Sequence, residues 1–126
     1  MKHILLVLFI MTGSLCKTIA QTKEVTIKYD NGTILEKGFY DENNKRDSLW
    51  ITYDEQGNVV EEGYYVNGNK EGVWNCYNEK GSKVFQVVYH NGRKRKGKQW
   101  DNVGHLIDKR VWNDDGKLIC ETIYNY

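Results

Sequence analysis

The side chains with the most chemistry to offer stand apart from one another in this chain. His90 and His105 are each alone, with no Cys, Asp or Glu at ligand spacing around them. A structural or catalytic zinc site draws three or four such ligands together, so no metal site is expected. Beyond the first twenty residues the only serines are Ser48 and Ser82, both beside turn sequences and neither within a nucleophile elbow. Acids are many. Some, such as Asp41, Glu42, Asp54, Glu55, Asp114 and Asp115, fall in turn-forming stretches, and others space apolar residues along strands. No carboxylate pair for glycoside hydrolysis stands out among them. The expectation is a protein that is not an enzyme, with no catalytic residue and no cofactor.

Binding chemistry is better represented. Arg93-Lys94-Arg95-Lys96-Gly97-Lys98 is one basic run. It suits an acidic partner, a lipid headgroup or nucleic acid; it equally suits an exposed hairpin whose like charges discourage edge pairing. Trp50, Trp74, Trp100 and Trp112, with Tyr65 and Tyr89, are candidate anchors for a partner, because aromatic side chains dominate interface energetics. In a thin fold they must also serve as core.

The first twenty residues differ from the rest. Lys2 and His3 precede the apolar run Ile4 to Met11, and a polar stretch ends at Ala20-Gln21. Positive start, short apolar centre and small residue at the cut form a secretory signal. The run is too short for a spanning helix, which needs ~20 apolar residues. Cys16 sits near the place of a lipoprotein cysteine, but bulky Leu15 precedes it where such signals want Gly or Ala. Cleavage after Ala20 and export to the periplasm or beyond are expected, with residues 21–126 as one domain. Loss of residues 1–20 removes Lys2 and Lys17 and no acid, leaving 16 basic and 17 acidic residues. That balance offers no overall attraction to nucleic acid or an anionic membrane, and no transmembrane span is expected in the mature chain.

The elements that must position these side chains are written as a repeat. Five segments begin Gly32, Gly57, Gly81, Gly104 and Gly116. In each, the residue three positions on is aliphatic: Leu35, Val60, Val84, Ile107 and Ile119. The residue seven on is apolar: Phe39, Tyr64, Val88, Val111 and Ile123. An aromatic follows at eight: Tyr40, Tyr65, Tyr89, Trp112 and Tyr124. Between the apolar pair, at five, stands Lys37, Glu62, Gln86, Lys109 or Glu121. Positions three, five and seven share one face of a strand, and six and eight share the other; a helix would scatter them. Asn31-Gly32, Asn67-Gly68 and Asn91-Gly92 predict tight type I′ turns, and longer turns ending in Gly57, Gly81, Gly104 and Gly116 join the other strands. The absence of Pro suits a ladder that needs its N–H donors. The prediction is all-β: a single extended, twisted antiparallel meander of eight or nine strands built from β-hairpin repeats. Gly38 and Gly63 leave room for a ring on the adjacent strand. Cys76 and Cys120 fall four strands apart, ~19 Å at sheet spacing, so they are expected to be free thiols.

The clearest unit runs Tyr65-Val-Asn-Gly-Asn-Lys-Glu-Gly-Val-Trp74-Asn-Cys-Tyr77-Asn-Glu-Lys-Gly81. It resembles the bacterial variant of the MORN repeat, as in the YwqK family of antitoxins, over roughly residues 28–126. The preceding unit keeps Trp50, Tyr53 and Gly57 but has Asp47-Ser48 in place of Lys-Glu-Gly. The following unit keeps Asn91-Gly92, Trp100 and Gly104 around the basic run, and a shortened unit surrounds Trp112. The resemblance implies a hairpin-repeat sheet and a role in protein contact, and carries over no catalytic residue. The functional expectation is an exported, non-catalytic protein that binds another protein through one face of its sheet. An antitoxin or immunity protein is the narrower alternative, and an envelope scaffold or a carbohydrate-binding protein the further ones.

Overall fold

A computed structural model describes residues 22–126; the expected signal segment lies outside them. Nine strands follow one another: β1 (Lys23–Lys28), β2 (Ile34–Tyr40), β3 (Arg46–Tyr53), β4 (Val59–Val66), β5 (Asn69–Tyr77), β6 (Lys83–His90), β7 (Arg93–Trp100), β8 (Leu106–Trp112) and β9 (Leu118–Ile123). They form one open antiparallel sheet in sequence order, each strand beside the last. At ~4.8 Å per strand the sheet is about 38 Å wide. The strands hold the aromatic and β-branched residues that favour a pleated surface, and Gly, Asn and Asp hold the turns. Among the described residues no helix is long and apolar enough to cross a membrane.

Two turn types alternate through most of the chain. Asn67-Gly68 and Asn91-Gly92 have positive φ at both central residues, 51° and 81°, then 49° and 77°, as a type I′ turn requires. The wider turn recurs at Asp41, Asp54, Asn78, Asp101 and Asn113. At Asp54 the backbone N–H donates to the Asn58 carbonyl at 2.9 Å, and Gly57 N–H returns to the Asp54 carbonyl at 3.0 Å. Its Oδ1 accepts from the N–H groups of Gln56 (3.0 Å) and Asn58 (2.8 Å). One side chain thus replaces backbone partners that the loop cannot supply. Asn31-Gly32 proves to belong to this wider class, not to the tight one predicted for it. The Asn31 carboxamide is occupied by Thr33 N–H at 2.9 Å, the loop closes from Tyr29 to Thr33, and of the pair only Gly32 has positive φ.

The pairing register sorts side chains between the two faces. Trp50 lies opposite Gly63 and Trp74 opposite Val87; Tyr65 is opposite both Ser48 and Lys70. These define a tryptophan face. Leu49 opposite Tyr64, Val73 opposite Val88 and Lys96 opposite Val111 define the reverse face. Among the described residues the only buried apolar side chains are Trp50 and Trp74, 2% and 3% exposed, so the core lies on one side. The fifth repeat segment departs from the common pattern. Asp108 pairs with Ile123 and Arg110 with Glu121, which turns Ile119, Glu121 and Ile123 onto the tryptophan face. The cause is the connection: β8 enters a wide turn where β4 and β6 enter tight ones. Although β2 also enters a wide turn at Asp41, the register irregularity at Lys37/Phe39 between β2 and β3 restores the common sorting there.

Candidate functional site

The tryptophan face is organised around glycines. A Cβ on Gly38 would lie 2.2 Å from the Trp50 ring, and one on Gly63 would lie 2.2 Å from Trp74. Each indole therefore lies flat over the backbone of the strand before its own, as the sequence predicted. Each indole N–H donates to a carbonyl there, Trp50 to Phe39 at 3.0 Å and Trp74 to Tyr64 at 3.1 Å. Tyr40, Trp50, Tyr65, Trp74 and Tyr89 meet edge to face at centroid distances of 5.4, 6.1, 5.0 and 6.4 Å, a favoured geometry for aromatic pairs.

A cation caps each indole and a carboxylate holds each cation. The Arg46 guanidinium lies 4.0 Å from the Trp50 ring centroid and 2.6 Å from Glu36. Lys70 Nζ lies 3.8 Å from the Trp74 ring and 2.7 Å from Glu61. Burial opposes the charge on Arg46, but hydrogen bonds to Glu36 and Tyr65 outweigh it and raise its pKa. The capped ladder is thus a closed structural element. Of the candidate anchors, Trp50 and Trp74 have their rings covered, and Tyr65 and Tyr89 are half-buried in the ladder.

Trp100 and Trp112 hold other places. Trp100 ends β7 where Tyr53 ends β3 and Tyr77 ends β5, outside the ladder. Trp112 stands at the end of β8 where β4 has Tyr65 and β6 has Tyr89. The indole position of the third unit is Gly97, over which Trp112 leans, its ring 3.0 Å from where a Cβ would be. The basic run does not form one patch. Lys94 turns to the tryptophan face, 5.9 Å from the Trp112 ring. Lys96, opposite Val88 and Val111, turns to the reverse face. Arg93 donates to the Asp114 carbonyl at 2.6 Å, and Arg95 pairs with the Asp114 carboxylate.

The reverse face carries two apolar rows. One runs Phe39, Leu49, Tyr64, Val73 and Val88, is interrupted on β7 by Lys96, and resumes at Val111; the other includes Leu35, Val60, Val84 and Ile107. A polar row with Glu62, Asn75, Gln86, Lys98 and Lys109 separates them. None of the apolar residues in these rows is buried, and Tyr64 and Val73 are 56% and 46% exposed. Tyr64 and Val73 are absent from the anchors picked out by sequence. The signal for Tyr64 was present, since position seven is apolar in every unit, but aromatic size drew the choice to the tryptophans; Val73 lies outside the five segments and carried no such signal.

The remaining reactive groups stay apart. Cys76 on β5 and Cys120 on β9 are free and lie on opposite faces by register; burial pushes the Cys76 thiol up. His90 meets Glu71 at 3.0 Å and His105 meets Asp101 at 3.1 Å. Tyr77 donates to Glu62 at 2.6 Å, which holds its phenol up at about 12. Among the described residues no three His, Cys, Asp or Glu side chains gather as a metal group would need. No protein-family model matches the chain, and no curated protein matches it.

Proposed function

We propose that this is an exported, non-catalytic repeat protein that binds another protein through the reverse face of its sheet. One observation carries the reading: among the described residues both buried apolar side chains, Trp50 and Trp74, lie on one face, while two apolar rows cross the other without burial. A contiguous exposed apolar patch rimmed by polar residues marks an interaction surface, and the central position of Tyr64 suits an anchor. The tryptophan face, capped by Arg46 and Lys70, supplies the rigid backing. The resemblance to MORN-type repeats points the same way, and the signal-like first twenty residues support an encounter in the periplasm or outside the cell.

The test is a pull-down with the chain from residue 21, native and as the Tyr64→Ser, Val73→Ser double variant. A partner retained by the native chain and lost by the variant, with both equally folded, supports the reading. A partner retained equally by both contradicts it.

A further inference from the structure

The third unit of the tryptophan face lacks two parts that the first two share. In units one and two a carboxylate on one strand (Glu36, Glu61) holds a cation on the next (Arg46, Lys70), and the cation lies over an indole. Lys94 is the corresponding cation of unit three, but Phe85 stands where the carboxylate should be and Gly97 where the indole should be. β7 is one residue shorter between Gly92 and Gly104 than β5 between Gly68 and Gly81. A cleft of about 150 Å³ results, lined by Phe85, Val87, Lys94, Gly97, Asp108 and Trp112.

Its polar groups are unevenly satisfied. Asp108 is 7% exposed; Arg110 takes its Oδ2 at 2.7 Å. Its other oxygen, Oδ1, is buried and accepts no hydrogen bond among the described residues. A buried acceptor without a donor is unfavourable. Arg110 is shared between Asp108 and Glu121, and neither Lys94 nor Lys98, which also lines the cleft, has a carboxylate partner among the described residues; of the two, Lys94 is on the tryptophan face beside Trp112.

We infer that this cleft binds an N-acylated α-amino acid through its free carboxylate, as carried by a free acylated amino acid or by the C-terminus of a polypeptide. The carboxylate meets Lys94 in the role that Glu61 plays for Lys70. The amide N–H beside it is offered to the Asp108 carboxylate, whose Oδ1 lacks a donor and is reached once the side chain turns toward the cleft. The side chain lies against Phe85 and Trp112, and the cleft's volume admits one residue. This site is on the face opposite the proposed protein-binding surface, and either can fail without the other.

The probes are N-acetyl-L-leucine and N-acetyl-L-phenylalanine, with their primary amides as controls, titrated into the purified protein. Binding is read from tryptophan fluorescence and from the indole N–H signals in NMR. Saturable binding that moves the Trp112 signal is expected, at least tenfold weaker for the amides and lost in Lys94→Ala. Phe85→Glu supplies an internal carboxylate nine residues before Lys94, the spacing of Glu61 and Lys70. It should abolish binding while leaving the thermal midpoint unchanged or higher. A hexapeptide ending in free leucine that binds tenfold more tightly than N-acetyl-L-leucine marks a chain terminus as the ligand; equal binding marks the free acylated amino acid. Absence of saturable binding, equal binding of acid and amide, or binding indifferent to both variants overturns the inference.

Discussion

Gly63 and Trp74 show how single residues carry this fold. The indole can lie over β4 only because Gly63 has no Cβ, and the atoms a Cβ would meet belong to a rigid ring. Gly63→Ala should therefore destabilise the protein by about 1–3 kcal/mol through overpacking, measured by urea denaturation. Gly104→Ala tests a separate cause: nothing lies within 4 Å of the added Cβ, but φ is +93°, so about 1–2 kcal/mol should be lost to the left-handed backbone alone. The glycine–ring relation was legible in the sequence from Gly38 and Gly63 standing two residues before Tyr40 and Tyr65. The division of the four tryptophans was not. Their shared type concealed three structural positions, which only pairing separates.

At the scale of elements, turns decide which face a strand presents. The Asp54 carboxyl is held below its usual value by the Asn58 side chain and by backbone N–H groups. Its contribution is therefore present above the ordinary carboxylate pKa and is lost as pH falls through the lower folded value. Asp54→Ala should lower the thermal midpoint more at pH 7 than at pH 3, by calorimetry. Tyr77 runs the other way. Its phenol, raised to about 12 by Glu62, contributes stability that is present below its ordinary pKa of ~10 and is lost as pH rises toward 12. The stability gap between native protein and Tyr77→Phe should narrow between pH 9 and pH 12. Sequence spacing gave every strand its place in order. It missed the inversion of β9 because Ile119 and Ile123 keep the common spacing, whereas the face follows from the register with β8.

Across the whole molecule, a sheet one layer thick must leave one face without a core partner. The period of the apolar residues foretold apolar positions on both faces, and the register shows which face the tryptophans close. Which residues a partner would meet was not legible, because exposure depends on what neighbouring strands cover. Trp50 and Trp74 are sheltered by the ladder, while Tyr64 and Val73 are not. The direct test is site-specific photo-crosslinking in the source cells, with benzoylphenylalanine placed at Tyr64 or Val73 on the reverse face, or at Tyr89 on the tryptophan face. The account predicts a crosslink to a second polypeptide from positions 64 and 73 and none from position 89. Crosslinking from position 89 alone, or no crosslink from the reverse face, would contradict it.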